Sequence, residues 1–329
     1  MTVLVTGGAG FIGSRLARRL SEAGHAVRIL TRRADPGPGL RGVPVEVARG
    51  DVADAEAVER AVRGAETVYH LAGAFQGVKA TAEYQRTNVE GTRRMVEAAL
   101  RHGVKRFVHC STCGVHGPAR NGPIAEAAPF RYAPWNAYET SKAQGERLVM
   151  QAARERGLAA SVARPAIVYG PGDRRLLKLF TAIATRRFVL LGDGRPAYHL
   201  AYVDDVVDGM LLCGTRPEAV GEAFLLAGGA CPTVGEVASL IARALGVALP
   251  AWRLPAGPFY AAGVLCELAC RPLGIEPPLS RRRVEFFTSH RIFDITKAKD
   301  RLGYAPRVSP EEGIRRTAQW YRDQGLLDG

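Results

Sequence analysis

The chain has 329 residues, of which 47% are hydrophobic, a mean hydropathy of -0.05 and a formal charge of +13. That length holds one large domain or a domain with a second lobe, and the composition is that of a globular protein. A bilayer-spanning chain is excluded, because no apolar run reaches the required length of about 18–20 residues. The best candidate, Phe259 to Cys270, is short and contains Glu267. The basic excess fits a solvated surface, and also attraction to an anionic cofactor, an acidic ligand or an anionic bilayer. No nucleic-acid fold signature accompanies it. The start MTVLVTGG reads as a strand and turn with no signal peptide ahead of it. Six cysteines without framework spacing suit a reducing, cytoplasmic setting.

Val3-Leu4-Val5 is an apolar run expected to form a buried strand, and a helix with Leu16, Ala17 and Leu20 inward follows it. Between them lies Thr6-Gly7-Gly8-Ala9-Gly10-Phe11-Ile12-Gly13. Strand, Gly-x-x-Gly-x-x-Gly, helix is the pattern of a dinucleotide-binding turn. Gly7 permits the tight turn, Gly10 the approach of a pyrophosphate, and Gly13 the close packing of helix on strand. The helix N-terminus then offers free N–H groups and a positive dipole end to the phosphates.

Ala26 to Leu30 reads as the second strand. Its end carries Thr31, Arg32 and Arg33 where NAD-binding proteins place an acid. Two guanidiniums can hold a 2′-phosphate, so NADP(H) is favoured over NAD(H). The competing arrangement leaves both arginines in solvent, with Asp35 reaching back to the ribose. Asp51, in Gly50-Asp51-Val52 after the strand Val45-Glu46-Val47, is placed to accept from an adenine amino group. The strand from Thr67 to Leu71 runs into Ala72 and Gly73, small enough to pass close under a cofactor. One long helix is expected from about Glu83 to His102. Its Asn88 either holds main chain or water near the site or faces solvent.

The next strand, Arg106 to Cys110, ends in Ser111-Thr112, hydroxyls at the carboxyl edge of the sheet where ligands gather. Cys110 and Cys113 form a C-x-x-C across a strand end, which fits neither a redox helix nor a zinc site. Tyr138-Glu139-Thr140-Ser141-Lys142 follows a Pro-, Gly- and Ala-rich loop over 114–136. Tyr and Lys four apart share one helix face. A free Tyr titrates near 10, and an ammonium one turn away favours its phenolate, which suits an acid or base acting on a hydroxyl or carbonyl. Surface helices also carry this spacing by chance. Pro and Gly from Arg164 to Asp173 mark departure toward a second lobe. Ala201 to Asp205 reads as a return to the first. Helices at about 234–245, 258–270, 280–287 and 310–324 complete the chain.

Together, TGGAGFIG (6–13), GDV (50–52), HLAG (70–73), NVEGT (88–92), VHCSTCGVHG (108–117), YETSK (138–142), RPAIVYGPGD (164–173) and YVDDVVDG (202–209) resemble an extended short-chain dehydrogenase/reductase, of the NAD-dependent epimerase/dehydratase superfamily. The resemblance spans the whole chain. It implies a Rossmann doubly wound parallel sheet over 1–170, to which 198–228 returns, and a smaller, mostly helical substrate lobe from 171–197 and 229–329. It implies that Tyr138 and Lys142 are catalytic, with Thr112 in the active-site hydroxyl position and Ser111 beside it. The same motifs place Phe11, Ile12, Val52, Leu71, Ala72, Gly73, Asn88, Pro165 and Val168 among the cofactor-contacting positions, with Tyr138 and Lys142. No metal is implied, the partner is a small-molecule substrate, and members are commonly dimers, which implies a homodimer.

Nucleotide-sugar members carry an Arg shortly before V-D-D, where this chain has Tyr198-His199-Leu200. Residues 192–209 and 277–314 look similar instead to the 3β-hydroxysteroid and sterol-4α-carboxylate 3-dehydrogenase branch, which also holds bacterial reductases of long-chain β-keto acids. That branch implies a bulky apolar alcohol or ketone; sugar epimerisation or dehydration is the alternative. The Phe259–Cys270 helix then reads as an apolar lid or membrane-contacting patch, or more plainly as a core helix.

Overall fold

Val3, Leu4 and Val5 are all fully buried, as a strand covered on both faces requires. They belong to β1 (Thr2–Thr6), an interior strand in a computed structural model that describes residues 1–75, 80–133, 136–250, 252–270, 275 and 277–327. The further strands are β2 (Ala26–Thr31), β3 (Val45–Arg49), β4 (Thr67–His70), β5 (Arg106–Cys110), β6 (Ala160–Pro165), β7 (Ile167–Tyr169), β8 (Leu190–Leu191), β9 (Leu200–Tyr202), β10 (Ala223–Leu226) and β11 (Arg253–Leu254). The helices are α1 (Phe11–Glu22), α2 (Ala55–Val62), α3 (Ala80–Tyr84), α4 (Gly91–Arg101), α5 (Ala137–Arg156), α6 (Leu177–Ala184), α7 (Val203–Thr215), α8 (Val234–Leu245), α9 (Ala256–Cys270), α10 (Arg281–Thr288), α11 (Thr296–Leu302) and α12 (Pro310–Asp323).

Seven parallel strands form one sheet in the order β10-β6-β5-β4-β1-β2-β3. The chain runs outward from β1 through β3, then returns to β4 and runs the other way. The connections above β1 and β4 therefore diverge and open a crevice at their carboxyl ends. Alternation along β1 sends Val3 and Val5 to one face and Leu4 to the other. The first face is covered by α1 and α7, whose Leu16, Leu20, Val203 and Val207 join a core continuous with the C-terminal elements. The second is covered by α2, α4 and α5 through Val58, Met95 and Val149. Two short parallel pairs, β7 with β9 and β8 with β11, lie outside the large sheet.

Two expectations are corrected. The single helix over 83–102 is instead α3, a π-helical turn at Gln85–Glu90, and α4. Tyr84, Asn88 and Thr92 are all buried. A spacing of four residues drifts around an ordinary helix, and the wider π turn keeps the three on one inward face. The plain reading of Phe259–Cys270 as a core helix also fails: within α9 only Gly263 is buried. Its apolar residues run all the way round, so packing one side against α10 leaves the other side in water.

Candidate active site

The glycine turn is closed on three sides. Gly7 has φ +68°, and a Cβ there would stand 2.9 Å from the backbone of Leu71 and Ala72 at the end of β4. That pairs a left-handed conformation with a backbone approach, and only glycine meets both. A Cβ on Gly13 would run into the Gly7 carbonyl oxygen, so α1 is seated directly on the turn. A Cβ on Gly10 would meet only the Gly7 carbonyl oxygen, at 3.1 Å, and otherwise open space. This opening lies at the N-terminus of α1, where the first-turn N–H groups of Phe11, Ile12 and Gly13 have no intrahelical acceptor. The cradle fits a dinucleotide pyrophosphate.

α5 begins at Asn136, whose Oδ1 caps the Glu139 N–H at 3.2 Å, and ends at Gly157 in the left-handed conformation. Tyr138 and Lys142 follow the cap on one face of this helix. Lys142 is only 5% exposed, and its Nζ donates to the Cys110 carbonyl oxygen at 2.6 Å. This fastens the helix across the carboxyl end of β5. Burial pulls the Lys142 ammonium below its ordinary value, against the opposing pull of Cys110 and Glu146. The Tyr138 ring is half-buried, with Phe75 edge-on at 4.9 Å and Tyr84 at 5.8 Å. Those aromatic neighbours fix the phenol on a mostly apolar wall.

Beneath these residues runs a polar network that motif reading did not find. Thr6 Oγ1 accepts from the Ala72 N–H at 3.0 Å and lies 2.8 Å from His70 Nδ1. His70 Nε2 lies 3.0 Å from Thr92 Oγ1, which donates to the Asn88 carbonyl oxygen at 2.8 Å. Thr92 has one hydroxyl proton and uses it on Asn88, so His70 Nε2 must be the donor to Thr92. His70 Nδ1 is then an acceptor, and Thr6 donates to it. The assignment needs a neutral imidazole, and burial, helped by the Lys142 charge, depresses the His70 pKa to about 3. Asn88 continues the chain: its Oδ1 accepts from the Ala74 N–H at 2.8 Å, and its Nδ2 donates to the Ala74 carbonyl at 3.1 Å and to Ser141 Oγ at 2.9 Å. The main-chain alternative for Asn88 is thus the one realised, and the solvent-facing one is not. The only sequence signal was a histidine within an otherwise apolar strand.

Thr112 is half-buried, and its Oγ1 accepts from the Gly114 N–H at 3.1 Å, capping a short 3₁₀ turn over Cys113–His116. Ser111 is 4% exposed, and its Oγ has no hydrogen-bond partner among the described residues. The loop behind them is held by a buried ion pair. Arg164 Nε donates to Glu146 at 3.0 Å, and Arg164 Nη1 reaches His116 Nε2 at 3.0 Å and the Glu126 carbonyl at 2.9 Å. Cys113 Sγ donates to the Arg164 carbonyl at 2.9 Å, so this thiol serves the scaffold. Glu139, next to Tyr138, faces the Arg291 guanidinium at 3.6 Å, which brings the C-terminal segment against α5.

The outer cofactor positions expected from the sequence have these surroundings. Asp51 accepts from Arg86 Nη2 at 3.0 Å and from the Ala53 N–H at 2.9 Å, so its oxygens already have partners within the protein. Arg32 is 72% exposed and stands 3.9 Å from Asp51 and 3.8 Å from Glu83. Asp35 turns back onto the Gly37 N–H at 2.7 Å. Val168 is buried in β7, and Leu71, at the end of β4, is half-buried. Pro165 ends β6, in register with Leu226 of β10. Tyr198 and His199, where a sugar-phosphate Arg was sought, are 3% and 8% exposed. A separate cavity of about 420 Å³ is lined by Phe188, Arg195, Glu236, Trp252 and Arg253 among others, and by none of the residues named for catalysis.

The model of the NAD-dependent epimerase/dehydratase family matches residues 3–227. A 3beta-hydroxysteroid-dehydrogenase/decarboxylase (isoform 2) of Arabidopsis thaliana is 32% identical over 95% of this chain, which spans 61% of that longer protein. A 2-alkyl-3-oxoalkanoate reductase of Stenotrophomonas maltophilia is 33% identical over 96% of this chain and 98% of its own length. Among solved structures, the UDP-glucose 4-epimerase of Thermotoga maritima with UDP-glucose superposes with a TM-score of 0.79, 28% identity, and coverage of 98% and 99% of the two chains.

Proposed function

The chain belongs to the NAD-dependent epimerase/dehydratase family, and on that premise we propose that it interconverts a secondary alcohol and a ketone on a bulky apolar substrate, of the β-hydroxy/β-keto-acid or 3β-hydroxysteroid class. The bound nicotinamide would supply the hydride chemistry. Gly7, Gly10 and Gly13 would hold its pyrophosphate, and Lys142 its ribose. Tyr138 takes the hydroxyl proton in oxidation and returns it in reduction. The Lys142 ammonium favours the phenolate, and Thr112, with Ser111 beside it, holds the substrate oxygen and steadies its developing charge.

The observation that carries this reading is Lys142, buried and fastened to the Cys110 carbonyl, one helical turn from a Tyr138 packed against Phe75 and Tyr84. The apolar class is supported by that aromatic wall, by buried Tyr198 and His199, and by the two redox relatives. Sugar epimerisation or dehydration, supported by the Thermotoga likeness, differs in returning its cofactor unchanged. With a long-chain β-keto acid and reduced cofactor, absorbance at 340 nm should fall steadily; turnover of a nucleotide sugar without net absorbance change would overturn the redox reading. Tyr138→Phe should lower kcat by a factor of about 10²–10⁴, and a variant that keeps most activity removes Tyr138 from the mechanism.

NADP(H) is the preferred cofactor on this reading, supported by Thr31 at the end of β2 and by exposed Arg32 beside it. The NADPH-over-NADH ratio of kcat/KM should drop about tenfold, roughly the worth of one charge-assisted contact, in Arg32→Ala/Arg33→Ala. A native preference for NADH refutes it.

A further inference from the structure

Eight large apolar side chains stand out as exposed among the described residues, and six lie between positions 252 and 275: Trp252, Leu254, Tyr260, Leu265, Leu268 and Ile275. Leu265 and Leu268 are 68% and 61% exposed. On α9 they continue a stripe of exposed Pro258, Ala261 and Ala262 and lead to exposed Ala269. Steps of three and four residues put that stripe on one helix face. The opposite face is fixed: Gly263 packs on the Ser280 backbone, and Glu267 pairs with Arg281 at 2.7 Å. The apolar face is therefore held outward by structure.

We propose that α9 docks in the plane of an anionic lipid bilayer. A contiguous apolar face of this kind marks an interaction surface. Three features select a lipid partner. The helix has 15 residues, about 22 Å at 1.5 Å per residue, which is short of the roughly 30 Å hydrocarbon layer. It can lie on a membrane and cannot cross one. Exposed Trp252 precedes it and exposed Tyr260 lies in its second turn, and such rings favour the water–hydrocarbon boundary. Positions 252–290 carry five arginines against three glutamates, in a chain of net charge +13. A local excess of positive charge in the sequence is attracted to anionic headgroups. The same excess disfavours a second copy, since symmetric pairing brings like-charged segments together. The inference does not depend on which substrate the site takes.

The test is co-sedimentation of the full chain with phosphatidylcholine vesicles and with vesicles that also contain phosphatidylglycerol. Binding should be at least about tenfold stronger to the anionic vesicles and should weaken with added salt. Leu265→Asp/Leu268→Asp should lose at least about tenfold in vesicle affinity, with melting temperature and dinucleotide affinity unchanged. Should that variant misfold, a Trp135→Phe/Trp320→Phe chain reports instead: Trp252 emission should shift to the blue on adding anionic vesicles. Equal recovery of the native chain with and without vesicles, or a Trp252 spectrum indifferent to them, overturns the proposal. A dimer in lipid-free solution that the Leu variants dissociate also overturns it, and assigns the face to a second copy.

Discussion

The floor under Lys142 and the α9–α10 hairpin solve opposite problems. The floor buries His70, Asn88, Ser141 and Lys142, and hydrogen-bonds them across five segments of chain. The hairpin leaves leucines in water and packs one helix side against one neighbour. In the first region each polar group is fixed by its partners, so removing one leaves others stranded at a cost. In the second, side chains have little to lose in the folded protein. The molecule thus concentrates buried hydrogen bonds around the candidate site and leaves apolar side chains exposed on α9.

The sharpest way to break this contrast is to cut the buried ion pair. Glu146→Ala leaves the Arg164 guanidinium buried without its carboxylate and should lower unfolding stability by about 3–5 kcal/mol, read from the urea midpoint. On the hairpin, Leu265→Asp should stay within about 0.5 kcal/mol of native. Similar losses at both sites would erase the distinction.

Acid should reach the floor through its histidines. Burial holds His70 neutral down to a pKa of about 3 in the folded state, against an ordinary 6.5. Burial also depresses His116 to about 4, and His109 in the same direction. Between these values and 6.5 the unfolded chain binds more protons than the folded one, so stability declines as pH falls through that window. His70→Gln should flatten the decline between pH 6.5 and about 4, measured as unfolding free energy against pH. An unchanged slope would mean the network does not hold His70 neutral.

A smaller effect is expected from Asn88→Ala, which strands the Ala74 N–H and frees Ser141. The loss should be about 1–3 kcal/mol, with KM for the dinucleotide raised more than kcat is lowered. A drop in kcat alone would place Asn88 in proton delivery and not in shaping the β4 loop.

The sheet and the glycine turn were legible because their signals are local. Val3-Leu4-Val5 followed by spaced glycines fixes strand, turn and helix within a dozen residues. Tyr138 and Lys142 were legible for the same reason, since one helical turn guarantees a shared face. Asn88 was legible as a residue and not as a geometry: the π turn that faces it inward depends on Ala74 and Ser141, distant in sequence. His70 and Arg164 have partners 22 and 18 residues away at the least, and pairings of that kind leave no spacing rule. Arg32 and Asp51 both have the right chemistry for a nucleotide, and no spacing rule announced that Arg86, 35 residues on, would engage Asp51. For α9 the sequence leaves a core helix, a lid and a membrane-contacting patch all open, because composition reports apolarity without reporting which neighbours exist.

Lys142 is tethered through a main-chain oxygen of residue 110, an atom every amino acid supplies. The identity of the side chain at 110 is therefore uncoupled from the anchoring of the ammonium. Replacing the Cys110 thiol would therefore keep the anchor and remove only its pull on the Lys142 charge, which gives protein engineers who wish to strip thiols a position to try, one residue from the Ser111-Thr112 hydroxyl pair.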